Sequence, residues 1–123
     1  MNWQEIYRSR MTTAEEAVKA IKSGDRVVVG HACGSPELLL KTMVENRDAY
    51  KGVELVHMVS MGQSEYCLPE NCENFIHNSL FAGATTRKAI HDGRAVFTAC
   101  HFSQIPRLFT ERILPVDVTL CMV

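Results

Sequence analysis

Residues Val27 to Leu40 read VVVGHACGSPELLL. Three consecutive β-branched residues stop at a glycine, five small or polar residues follow, and an apolar run begins behind Ser35-Pro36. A strand that is apolar at every position, rather than at alternate ones, fits a parallel sheet covered on both faces. Ser35 has the side chain of an N-cap and Pro36 the fixed φ of a first helical turn, so a helix is expected to start there. Parallel strands need a crossover rather than a hairpin, and this strand–turn–helix unit therefore commits the chain to an α/β architecture.

The same unit recurs along the 123 residues. NWQEIYRSR reads as a short helix or arm with Trp3, Ile6 and Tyr7 as its apolar contacts. Thr13 and Glu16 have capping-box spacing; Ala17, Val18 and Ile21 then share a helical face, and Ser23-Gly24 closes that helix. The helix behind Ser35 is expected to run towards Tyr50, with Leu39, Met43 and Val44 facing inward and Gly52 as its stop. VELVHMVS is a second strand, FIHNSLF a third, AVFTACHFS a fourth and VDVTLCMV a fifth. A short helix in GATTRKAIHDG separates the third and fourth. Another in SQIPRLFTERIL, with Ile105, Leu108, Phe109 and Ile113 on one face and Pro115 as its break, precedes the fifth. MGQSEYCLPENCEN, between the second and third strands, is long for such a connection, and long loops in small domains tend to be functional.

The expected fold is α/β: an open, mostly parallel sheet with helices on both faces and right-handed crossovers. Residues 1–123 form one α/β portion. The last strand carries apolar residues up to Val123, and an uncovered apolar edge is an association hazard. The expectation is a piece of a longer protein, or a component that pairs with another chain.

Charge and cysteine usage exclude several classes. Thirteen basic residues against fourteen acidic give a net charge of -1, without the basic surplus of a nucleic-acid binder. No apolar run approaches the roughly 18 residues of a membrane span. The first ten residues lack the apolar core of a signal peptide. Five cysteines at irregular spacings fit reduced thiols in a cytoplasm better than a disulfide framework.

Ligands of open parallel sheets bind beyond the carboxyl ends of the strands. Four such places carry small or polar residues: Gly30 to Ser35, Ser60 to Ser64, Phe81 to Gly83, and Cys100 to Ser103. Gly30 and Gly34 allow close backbone approach, and amides near Ser35 could hold an anion; the same glycines also serve plain turn geometry. Histidines just past a strand, His31 and His101, suit a general base or a donor to a carbonyl, and equally a structural hydrogen bond. His57, His77 and His91 carry no functional expectation. His31-x-Cys33 with Cys100-His101 offers metal-ligand types but lacks the paired short spacing of a zinc site, so no metal is expected. Cys33 at a helix start could be a nucleophile; a small buried hydrophobe is the plainer role.

At VVVGHACGSPELLL, with HMVSMGQSEY, CHFSQIPRLF and the opening helix TTAEEAVKAIKSGDRVVVG, the chain resembles the start of the CoA-transferases of the acetyl-CoA hydrolase/transferase family, of the 4-hydroxybutyrate type. The resemblance covers nearly the whole chain. It implies two similar α/β halves with an active site between them, assembly as a homo-oligomer, and ping-pong transfer of coenzyme A from an acyl-CoA thioester to a small carboxylic acid, with no bound cofactor. It further implies a glutamate nucleophile and glycine-rich CoA-binding segments in a second half that this chain does not include; Glu37, Glu65 and Glu70 match no nucleophile motif. On the family's pattern His31, Gly34, Gly62, Gln63 and His101 are the substrate-binding candidates, His31 and Gln63 as polar contacts to an acyl or hydroxyl oxygen. The alternatives are a non-catalytic α/β module that binds a small anion or CoA, and a sugar-phosphate isomerase, for which these loops lack the lysine and carboxylates.

Overall fold

The valine run forms β1 (Arg26–Val29), which hydrogen-bonds to β2 (Val53–His57) on one side and to β5 (Val118–Leu120) on the other. β3 (Phe75–Ser79) and β4 (Ala95–Phe97) extend the sheet beyond β2. In the computed structural model, which describes residues 2–123, the order is β4-β3-β2-β1-β5 and every pair is parallel. The sheet is therefore more uniform than the mostly parallel one expected.

Alternation assigns the faces. Val27, Val29, Leu55, Phe75 and Leu120 pack with Val18 and Ile21 and with Leu40, Met43 and Val44 of α3 (Glu37–Glu45). Val28 and Val56 point the other way, to Ile105, Leu108 and Phe109 of α5 (Ile105–Thr110). The connection from β1 to β2 thus lies on one face and that from β4 back to β5 on the other. With right-handed crossovers this is what the strand order requires, since the chain steps from β1 to β4 in one direction and then returns past β1. Helices lie on both faces, as the sequence implies.

Local expectations meet mixed outcomes. Thr13 caps α2 (Ala14–Val18), its hydroxyl accepting from the Glu16 amide at 3.3 Å, and Val18 and Ile21 are buried. Ser35, by contrast, caps nothing. Pro36 has a non-helical ψ of 72°, so α3 begins at Glu37 and none of its first amides donates to the serine hydroxyl; the Ser35 Oγ is buried without a protein partner. α3 also stops short of Tyr50, because the Asn46 side chain donates to the Thr42 carbonyl and the backbone tightens into a 3-10 turn at Arg47–Ala49. β2 ends at His57 rather than Ser60. α5 ends at Thr110, well before Pro115; Arg112 turns the chain at φ 54°, so Leu114 is buried where Ile113 was expected and Ile113 is exposed.

The first helix is the clearest departure. α1 (Trp3–Arg10) forms, with the Asn2 side chain accepting from the Gln4 amide, but none of its residues is buried. Trp3 and Tyr7 are 71% and 67% exposed, so the apolar contacts expected of them are not made. The amphipathic spacing was real, yet spacing cannot say whether a surface lies opposite.

The sidedness of the sheet is testable with two truncations. Leu55→Ala, in the fully buried face under α3, is expected to cost about 2–5 kcal/mol in urea unfolding. Ile76→Ala, on the face that α5 covers only in part, is expected to cost less than about 1 kcal/mol, because that side chain is 40% exposed.

Candidate functional site

Because every strand is parallel, all carboxyl ends open on one rim, and the loops there are stitched to one another. The Gly30 amide donates to the Leu120 carbonyl at 2.8 Å and the Ala32 amide to the Val59 carbonyl at 2.9 Å. The Met122 amide reaches the Gly34 carbonyl at 3.4 Å, and the Thr98 amide the Ser79 carbonyl at 3.0 Å. The four segments singled out from the sequence thus form one edge of the molecule. Within it, β1 is the strand from which the chain leaves to one face while the return from β4 arrives over the other, the kind of reversal where open α/β sheets place ligands.

The turn after β1 is more self-satisfied than expected. The Gly34, Ser35 and Glu37 amides donate to the carbonyls of His31, Ala32 and Ser35. These three donors are therefore engaged inside the turn rather than presented to an anion. Gly30 is required by packing: a Cβ there would stand 2.5 Å from the Gly34 carbonyl oxygen and 3.4 Å from the Cys121 Cα. Gly34 faces open space, with nothing within 4 Å of a Cβ. At Gly62 a Cβ would overlap the Glu37 carboxylate, which occupies the place of the missing side chain. Glu37 thus lies across the segment that follows β2.

The predicted site residues share the rim but divide among its cavities. His31 stands at an apolar cavity of about 180 Å³ on the α5 face, walled by Val28, Val56, Met58, Leu80, Phe102 and Phe109. Gln63 lines a different cavity of about 220 Å³ beside α3, with Glu37, Lys41 and Glu65. Gly62 lines a third, more open one of about 430 Å³ with Ser35, Glu37, Met61 and Met122. His101 is exposed, its amide donating to Gln104 Oε1 at 2.9 Å, and its neighbour Phe102 rather than His101 itself reaches the His31 cavity. His31 and Gln63 are therefore not brought together by this chain alone. No cluster of three or more metal-ligating side chains occurs among the described residues.

Sequence reasoning passed over the buried polar group beneath this rim. His57 and His77 point to the α3 face and are 0% and 2% exposed. The Tyr66 hydroxyl lies 2.6 Å from His57 Nδ1, and the Tyr66 ring meets His77 at a tilt of 54° with centroids 5.5 Å apart. His57 Nε2 and both ring nitrogens of His77 have no protein partner among the described residues. Burial lowers the pKa of each histidine to about 4 and raises that of Tyr66. Glu37 partly opposes the shift at His57 and His31 adds to it, which places both rim residues within electrostatic reach of the buried ring. Burial also pushes the Cys67 thiol up to about 12. The available signal was two histidines inside otherwise apolar strands, where a neutral imidazole must be accommodated.

Comparisons with known proteins agree with this architecture. The acetyl-CoA hydrolase/transferase N-terminal domain matches residues 1–122. The 4-hydroxybutyrate coenzyme A transferase of Clostridium kluyveri is 48% identical over all of this chain, which spans 29% of that relative. The butyryl-CoA:acetate CoA-transferase of Anaerostipes caccae is 27% identical, again over the whole chain and 28% of the relative. Among solved structures, a 4-hydroxybutyrate CoA-transferase from Porphyromonas gingivalis superposes on 98% of this chain with a TM-score of 0.74 and 29% identity, and the match takes in 26% of that chain. The chain thus spans less than a third of the length of the proteins it resembles.

Two outcomes follow from the rim and its buried base. Gly30→Ala, which meets backbone, is expected to destabilise by about 1–3 kcal/mol in urea unfolding, whereas Gly34→Ala is tolerated within about 0.5 kcal/mol. The histidines set a pH dependence. Unfolded, they take up protons near pH 6.5; folded, they stay neutral down to about 4. Their contribution is therefore complete above pH 6.5 and falls as pH drops towards 4, by on the order of 1 kcal/mol per pH unit for each. Unfolding free energies measured across that window should show His77→Met with a shallower acid slope and little loss at pH 7, since neither ring nitrogen gives up a protein partner.

Proposed function

The chain belongs to the acetyl-CoA hydrolase/transferase family, and from that premise we propose that it forms the acyl-side wall of a CoA-transferase active site. The enzyme would transfer coenzyme A between short acyl groups and small carboxylic acids of the 4-hydroxybutyrate, butyrate and acetate kind. Its glutamate nucleophile would come from polypeptide outside these residues, a complementary C-terminal half of the same protein or of another subunit in a homo-oligomer. A cytoplasmic location fits the acyl-CoA substrate, and no described helix is long and apolar enough to cross a membrane.

The observation that carries the reading is the cavity at His31: an apolar space of about 180 Å³ between β1, β2 and α5, with a single polar ring at its rim. Such a space accepts an aliphatic acyl chain, while an imidazole at its mouth can donate to a carbonyl or hydroxyl oxygen. Gln63, Gly62, Gly34 and His101 lie along the same edge and would contact the rest of the thioester once the opposing half closes over it. Among the acids of this chain, Glu54 is held by Arg26 and Asn78, and Glu37 lies over Gly62.

In the reaction so assigned, a carboxylate attacks the thioester carbonyl, a C–O bond forms, the C–S bond breaks and CoA leaves as thiolate. That thiolate then attacks the glutamyl carbonyl of the resulting anhydride and releases the first acid as its carboxylate. The acceptor carboxylate repeats both steps in reverse. The wall formed here would orient the acyl group and keep water from the anhydride.

Transfer from butyryl-CoA or 4-hydroxybutyryl-CoA to acetate is the direct assay, run with this chain alone and with the remaining part of the Clostridium kluyveri relative supplied in trans. Activity is expected only in the mixture. A stable complex that binds CoA but never transfers it would favour the non-catalytic module instead. In an active complex, His31→Ala is expected to raise KM for the acyl-CoA about 5- to 30-fold, the worth of one lost hydrogen bond.

A further inference from the structure

We propose that the buried His57–Tyr66 pair is a positioning device for the rim segment Met61–Gln63, holding it from below without touching substrate. The segment has little anchorage of its own: Met61 is 71% exposed and Gln63 is exposed. Its two ends are instead fixed. Ser60 and Ser64, on either side, are both buried, with their hydroxyls 2.5 Å apart. Ser64 Oγ lies 2.9 Å from Thr85 Oγ1, which ties the same point to the loop after β3. Ser64 also adopts a left-handed backbone at φ 51°, a conformation that a non-glycine residue keeps only when its surroundings hold it.

Tyr66 supplies that hold. The chain doubles back after Ser64 through the 3-10 turn Glu65–Cys67, and the Cys67 amide donates to the Ser64 carbonyl at 2.8 Å. Tyr66 is thereby inserted under the segment, 2% exposed, with its hydroxyl 2.6 Å from Nδ1 of His57 at the last position of β2. Two polar rings in this place are a poor way to build a core alone. A phenylalanine over a leucine would fill the space without burying a hydroxyl and two ring nitrogens. What the polar pair adds is direction: the hydroxyl is fixed in place against His57 at the end of β2. The 2.6 Å contact can form in either tautomer, with the Tyr66 hydroxyl donating to Nδ1 or Nδ1–H donating to the hydroxyl oxygen.

The consequence for catalysis rests on the acyl-wall reading above; the positioning itself does not, and the experiment separates the two. Amide hydrogen exchange is measured by mass spectrometry on the intact protein and on Tyr66→Phe, His57→Leu and His57→Asn. The expected result is exchange about tenfold faster or more at the Cys67 and Leu68 amides, which donate to the Ser64 and Glu65 carbonyls, for Tyr66→Phe and His57→Leu, with β1 and β3 unchanged. His57→Asn, whose amide can stand in for Nδ1, is expected to restore most of the protection. Unchanged exchange in Tyr66→Phe would overturn the proposal, and so would a uniform rise across the whole sheet, which would make the pair a plain core contact. In the active complex, Tyr66→Phe should raise KM for the acyl-CoA while kcat stays within about twofold. Local loosening with an unchanged KM would leave the positioning standing and remove the Met61–Gln63 segment from the acyl site.

Discussion

The Glu54 carboxylate joins three strands. One oxygen accepts from Arg26 Nε at 2.7 Å and the other from Asn78 Nδ2 at 2.7 Å; the Asn78 oxygen in turn accepts from the Thr98 hydroxyl at 2.7 Å. The row continues to β5, because the Arg26 amide donates to the Asp117 carboxylate at 2.8 Å and its guanidinium to the Pro115 carbonyl at 3.1 Å. Arg26 and Glu54 are each about one-fifth exposed, so the pair is screened less than a surface bridge. Its worth is better counted in register than in stability. A one-residue slip of β1 or β2 would carry Arg26 or Glu54 to the α3 face and leave a charge among Leu55, Met43 and Phe75. With register fixed in this way, the carboxyl ends of the strands come out level, and the loops that follow them meet as one rim.

Much of this was legible in the residues, and what was not has identifiable causes. The valine run, the glycines and the periodic helices define strand–helix order, and parallel pairing follows because the connections contain helices. Ends were harder. Ser35-Pro36 has the composition of a helix start, but the proline sits outside helical ψ and the serine ends up buried and unpaired. α1 has the spacing of a buried helix, yet none of its residues is buried. Composition records what a side chain could do at a position, while burial depends on what the rest of the chain brings opposite.

The site shows the same division. Small and polar residues at strand ends pointed to the rim, and the family's pattern named His31, Gly34, Gly62, Gln63 and His101 along it as candidates. The sequence could not distribute them between the two faces of the sheet, because that depends on how each loop leaves its strand. Nor did it find His57, Tyr66 and His77, which come from two strands and an irregular segment and meet only after folding. Packing likewise separates the glycines: Gly34 has open space around it, whereas Gly62 gives room to the Glu37 carboxylate.

The central claim is that level, parallel strand ends bring the loops after them into one rim that presents an acyl-sized cavity at His31. The decisive measurement is a crystal structure of these residues assembled with a complementary CoA-transferase half and a short acyl-CoA. The account predicts the acyl carbons between Val28, Val56 and Phe109 and the His31 ring within hydrogen-bonding distance of an acyl oxygen. An acyl group seated at the amino-terminal edge of the sheet, or in a cavity remote from the β1 turn, would contradict it.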